Sequence, residues 1–157
     1  MSVATVYSRA IVGMEARVVT VEVHLSNGLP SLSIVGMAET AVKESKDRVR
    51  SALLNSQFNF PPQRITINLA HADLPKEGGR FDLPIALGIL AASGQIPASA
   101  LDTREFIGEL SLTGELRPVR GVLPTALVVK QQQRELVLPV KNAVEASFVS
   151  DSRTVWA

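Results

Sequence analysis

A chain of 157 residues with 46% hydrophobic and 20% charged side chains has the composition of one globular domain, which excludes a disordered segment. Its formal net charge of +1 gives no bulk electrostatic argument for nucleic-acid binding. The absence of cysteine excludes disulfides and thiolate metal sites and fits a cytoplasmic home.

Met1 to Ala10 carries no apolar h-region and so is not a signal peptide; no apolar run reaches the roughly 18 residues of a membrane span. Val18 to Leu25 alternates, with Val19, Val21, Val23 and Leu25 on one face, the pattern of a half-buried strand. The turn-forming Ser26-Asn27-Gly28-Leu29-Pro30 follows, and Ser31 to Val35 is expected as the return strand of a hairpin, ended by Gly36. Ala38 to Gln57 is predicted to be helical, because Ala38, Val42, Val49 and Leu53 recur at helical spacing. Its opposite face, with Lys43, Glu44, Lys46, Asp47, Arg48 and Arg50, is expected to be solvated. Pro61-Pro62 blocks any continuation, and Arg64 to Leu69 alternates as a strand.

Ala70 to Arg80 reads as a polar loop. A second helix is predicted from Asp82 to Ser93, with Asp82 as N-cap and Pro84 in the first turn. It is apolar nearly all round and so should be central and buried. Glu105 to Leu112 reads as a strand turning at Thr113-Gly114, and Leu116 to Val119 as a short strand or bend. Gly121 to Gln133 reads as a third helix, Glu135 to Leu138 as a strand, Asn142 to Phe148 as a short helix and Thr154 to Trp156 as a last strand. Strands come first and then interleave with helices, which predicts a single α+β domain over residues 1–157, built on a mixed sheet.

Two segments are more specific than composition. Pro75-Lys76-Glu77-Gly78-Gly79-Arg80-Phe81-Asp82 leads into the apolar helix. Gly108-Glu109-Leu110-Ser111-Leu112-Thr113-Gly114-Glu115-Leu116-Arg117-Pro118-Val119-Arg120-Gly121-Val122 comes later. In order and separation they resemble the two signature stretches of the Lon protease proteolytic domain. The resemblance puts that family's serine nucleophile at Arg80 and its lysine base at Leu123. From about Val12 to Leu138 the chain is also similar to the N-terminal segment of the ComM/YifB family of Mg-chelatase-like AAA+ proteins. Ser26 to Pro30, Ile34-Val35-Gly36, Val42 through Ala52, Phe60-Pro61-Pro62, Arg64 to Ala70 and Phe81 to Leu90 carry that similarity.

This resemblance implies a Lon proteolytic domain-like fold, a mixed β-sheet with helices of the kind also seen in one ribosomal small-subunit protein. It implies an AAA+ ATPase domain, using ATP and Mg, that follows these residues and is absent from them. The partners it implies are that domain and the neighbouring subunits of a hexamer, within a protein resembling the ComM DNA branch-migration helicase of natural transformation. No Gly-x-x-x-x-Gly-Lys-Ser/Thr phosphate loop occurs within residues 1–157.

With Arg80 and Leu123 at the dyad positions, no catalysis is expected of the domain. A guanidinium stays protonated and offers no nucleophilic lone pair, and leucine takes no proton. The alternatives are a peptidase with a displaced nucleophile, such as Ser111 with Lys76 or Lys130, and a magnesium-chelatase-type accessory module. Asp73, Glu77 and Asp82, with Glu109 and Glu115, are the acids a magnesium site would draw on. They read equally well as solvated acids or a cap, His24 and His71 are isolated, and neither metal nor cofactor is expected here. Lys76, Arg80, Arg117 and Arg120 fall in the dyad-region segments and form a candidate nucleic-acid or subunit-interface cluster, suited to the phosphates of single-stranded or branched DNA. The competing reading pairs the arginines with Glu77, Asp82, Glu109 and Glu115. Phe81 and Phe106 are expected in the core, not as base-stacking platforms.

Overall fold

The computed structural model describes residues 2–76, 78–149 and 154–156. The chain begins with an antiparallel hairpin of β1 (Ser2–Val12) and β2 (Glu15–Ser26), closed by Gly13-Met14. The sequence reading assigns no strand before Val18. Small and polar residues conceal β1: its buried positions are Ala4, Val6, Ser8, Arg9 and Ala10, so a hydroxyl and a guanidinium interrupt the alternation that marks a strand.

β3 (Ser31–Val35) does not return along β2, contrary to the expected hairpin. β4 (Arg64–Ala70) lies between them, antiparallel to β2 and parallel to β3, and α1 (Glu39–Asn55) makes the β3–β4 crossover. The reason lies in β4 itself. Ile65, Ile67 and Leu69 are fully buried and match Leu25, Val23 and Val21 of β2 in register. Set between β2 and β3, β4 has its backbone groups paired along both edges, while the apolar face formed by these three residues packs into the core.

The turn out of β3 depends on Gly36. Its φ is +99°, and a Cβ there would stand 2.2 Å from the Leu69 carbonyl oxygen. Gly36→Ala is therefore expected to cost about 2–3 kcal/mol, from left-handed backbone strain together with a backbone clash. Thermal unfolding reads this as a drop of several degrees; an unchanged midpoint would show that β3 can move off β4 freely.

α2 (Asp82–Ala92) lies across β1 and β2 and is buried, as its composition predicts. The expected strand Glu105–Leu112 is broken in two. β5 (Arg104–Phe106) joins the main sheet beside β1, while β6 (Glu109–Leu110) pairs with β7 (Leu116–Arg117). Between them the Gly108 N–H donates to the Arg80 carbonyl and its own carbonyl accepts from the Leu83 N–H, so this stretch of backbone bonds to the start of α2. α3 (Val122–Gln131), β8 (Glu135–Leu138), the short α4 (Ala143–Ala146) and β9 (Thr154–Trp156) complete the fold. Among the described residues the main sheet is seven-stranded and mixed, in the order β3-β4-β2-β1-β5-β8-β9.

The larger core lies around α1, α2 and the β1–β2–β4 strands, with Phe81 and Phe106 in it as expected. A second, smaller core gathers Ile107, Val122, Ala126, Val129, Leu136, Leu138, Ala146 and Val149. A buried ion pair ties the halves together. Arg9 on β1 donates to both carboxylate oxygens of Glu105 on β5, at 2.7 and 3.1 Å, and Arg134 approaches the same carboxylate at 3.0 Å. No helix among the described residues is long and apolar enough to cross a membrane.

Candidate functional site

The two signature segments meet where β1 ends and where α2 and α3 begin. They line a cleft of about 550 Å³, with Gly78, Gly79 and Arg80 on one wall and Pro118 to Gly121 on the other. Arg80 runs beneath it and is only 8% exposed. Its Nε donates to the Arg9 carbonyl at 2.9 Å, one Nη to the Arg120 carbonyl and the other to Thr125 Oγ1 at 3.2 Å. Burial pushes this guanidinium down to about 10, which still leaves it cationic at neutral pH. All three nitrogens are thus committed, and they rivet β1, the loop before α3 and α3 itself to one another. Thr125 is also committed: its hydroxyl donates to the Gly121 carbonyl at 2.7 Å.

The second wall is pinned independently. Asn142, 1% exposed, accepts from the Val119 N–H at 2.9 Å and donates to the Val119 carbonyl at 3.0 Å, pairing with that backbone as a strand residue would. Neither Thr125 nor Asn142 was singled out by the sequence reading. Their signal is a polar residue at a position that helical or loop geometry turns inward, and it shows only once the neighbouring loop is placed.

The four cationic candidates divide two and two. Lys76 is 5% exposed, with Nζ donating to the His71 and Leu74 carbonyls at 2.6 and 2.9 Å, and burial lowers its pKa. Like Arg80, it is spent on backbone. Arg117 and Arg120 are exposed, and Arg120 lines the cleft. Leu123, where the resemblance to Lon puts that family's lysine, is an exposed apolar side chain on α3.

The acids find a partner that sequence reasoning had assigned to solvent. Asp82 is 1% exposed and is not the N-cap of α2; it anchors the helix instead. Arg48 Nε donates to it at 2.6 Å, Ser45 Oγ at 2.7 Å and the Leu110 N–H at 3.1 Å. Arg48 therefore leaves the solvated face of α1, and it also lies 4.0 Å from Glu109. The ion pair holds Arg48 above its ordinary value, while burial, the stronger influence on the carboxyl, pushes Asp82 up despite its three donors. Glu109 rests on Gly79, where a Cβ would fall 2.4 Å from its side chain. Ser45 was also passed over in the sequence reading; its signal is a polar residue at helical spacing between Val42 and Val49. Glu77, which the competing reading pairs with the arginines, lies outside the described residues. Among the described residues no group of three or more His, Asp or Glu is placed to hold a metal ion.

Comparison with known proteins follows the same lines. The family model for subunit ChlI of Mg-chelatase matches residues 21–142. Competence protein ComM of Haemophilus influenzae is 60% identical over 157 residues, which is all of this chain and 31% of that protein. The uncharacterised protein YifB of Salmonella typhimurium is 53% identical over 150 residues, 96% of this chain and 30% of its own length. Lon protease 2 of Bacillus subtilis is 27% identical over 127 residues, 71% of this chain and 22% of the protease. The chain thus spans under a third of the length of the curated relatives it matches. It belongs to the family of subunit ChlI of Mg-chelatase, in the group that ComM and YifB represent.

Proposed function

We propose that this domain is a non-catalytic accessory module of a hexameric AAA+ ATPase resembling the ComM branch-migration helicase. It contributes to ring assembly, and its exposed arginines face DNA phosphate. The observation that carries this reading is Arg80. The place that resemblance to Lon gives to a nucleophile holds a cation whose nitrogens all serve backbone and a threonine hydroxyl. The position of the lysine holds Leu123. The hydrogen bonding does not favour the displaced-nucleophile alternative: the Ser111 hydroxyl bonds to Thr113 Oγ1 and to the Glu115 N–H, and among the described residues no serine or threonine hydroxyl bonds to a lysine. ATP and Mg, in this reading, belong to the part of the protein outside these residues, in the cytoplasm.

The cheapest test is a serine-reactive fluorophosphonate together with an unstructured protein substrate. Neither labelling nor cleavage is expected, and stoichiometric labelling with cleavage would overturn the reading. For the DNA contact, the full-length protein is titrated with branched DNA across a range of salt. Replacing both Arg117 and Arg120 by alanine should reduce the slope of log K against log salt by roughly 2, since each lost phosphate contact removes about 0.9. Lys76→Ala should leave the slope alone, because its ammonium is turned inward. An unchanged slope in the double arginine variant leaves only ring assembly to the domain.

A further inference from the structure

α3 and α4 pack on one another through the smaller core, with Val122, Ala126 and Val129 on one and Ala146 on the other. Both also present exposed apolar side chains on the outside. On α3, Leu123 and Leu127 are 46% and 50% exposed; Val144 on α4 is 72% exposed, and Val140 before that helix and Phe148 after it are 56% and 75% exposed. Leu123 and Leu127 are one helical turn apart and share a face of α3, while the other three gather in the short segment around α4. Single exposed leucines are ordinary on any protein surface. An aligned pair on α3 with three further exposed apolar side chains on and beside the helix packed against it marks a contact face. Leu123 belongs to both accounts: where the resemblance puts Lon's amine, this chain has an apolar member of that face.

We propose that this α3–α4 flank docks the remaining polypeptide of the longer protein, through an apolar face of its ATPase region, an assignment that rests on the accessory-module reading above. The length of the relatives favours that occupant over a second copy of this domain, since a tethered region of one molecule reaches the flank at high effective concentration. The residues described here amount to 31% of the ComM relative's length and the matched part to 30% of YifB's, so more than two-thirds of each relative's polypeptide is available to cover the flank.

Because the chain contains no cysteine, an introduced thiol reports on one place. Val144→Cys and, separately, Phe148→Cys are made in the 157-residue chain and in the full-length protein. Maleimide modification is followed by mass spectrometry of the peptide that carries the thiol. Met14→Cys, at a turn position 93% exposed and remote from α4 in sequence, serves as the control. Both flank thiols should react about tenfold or more slowly in the full-length protein, equally in dilute and concentrated samples, while the control reacts alike in both. Equal flank rates in the two proteins would overturn the proposal. So would slowing that develops in the 157-residue chain as its concentration rises, which identifies a second copy as the occupant. A full-length hexamer that hydrolyses ATP while its flank thiols stay fast sinks the docking face alone. Absence of any ATPase in the full-length protein sinks the accessory-module reading and the occupant with it.

Discussion

Arg80→Ala is expected to destabilise the domain by about 3–4 kcal/mol, measured as a lower urea midpoint at unchanged m-value. The variant loses three hydrogen bonds from a charged donor and leaves the Arg9 and Arg120 carbonyls without it. An abandoned buried acceptor costs on the order of 1–3 kcal/mol, and relief from burying the guanidinium offsets part of the sum. Arg80→Met separates bonding from packing: it keeps most of the stem's volume, and a loss of about 2–3 kcal/mol is expected to remain. Arg80→Ser supplies the hydroxyl of a hydrolase but not its amine, so it should lose stability and gain no peptidase activity. A stable Arg80→Ala within about 0.5 kcal/mol of the parent would refute the rivet, and with it the physical case that this site has been converted to structure.

Asp82→Ala is expected to cost about 3–5 kcal/mol, the usual penalty for stranding one member of a buried ion pair. It orphans three donors at once: Arg48, the fully buried Ser45 hydroxyl and the Leu110 N–H. The informative experiment is the cycle with Arg48→Met. Removing both charges should restore part of the loss, because the double variant no longer strands a cation. Strict additivity of the two single changes would show that Arg48 and Asp82 act separately, against the 2.6 Å contact between them.

What was legible in the chain follows from which physical signals are local. α2 and β4 could be read because their burial shows as unbroken apolarity and as clean alternation. β1 was missed although it is the middle strand, since Ser8 and Arg9 satisfy themselves on the Phe106 carbonyl and on Glu105, nearly a hundred residues away. The β2–β3 pairing failed for a similar reason: Ser26 to Pro30 has turn chemistry, but turn chemistry does not say which strand will occupy the place beside β2. At the site, the segments that meet were foreseen from the resemblance to Lon. The fates of their charges were not, because an arginine facing carbonyls and an arginine facing water are spelled alike. Lys76 and Arg80 took the first course, Arg117 and Arg120 the second.

The insertion of β4 between β2 and β3 also sets an order of events on the ribosome. The β1–β2 hairpin emerges first, yet both its outer edges must wait, one for residues 64–70 and the other for Arg104–Phe106. The strands that end in the middle of the sheet therefore begin as a two-stranded ribbon with open hydrogen-bonding edges, the form most prone to pair with another nascent chain. A translational pause before Arg64 prolongs that state, whereas a pause late enough for Phe106 to have cleared the ribosome finds both edges closed.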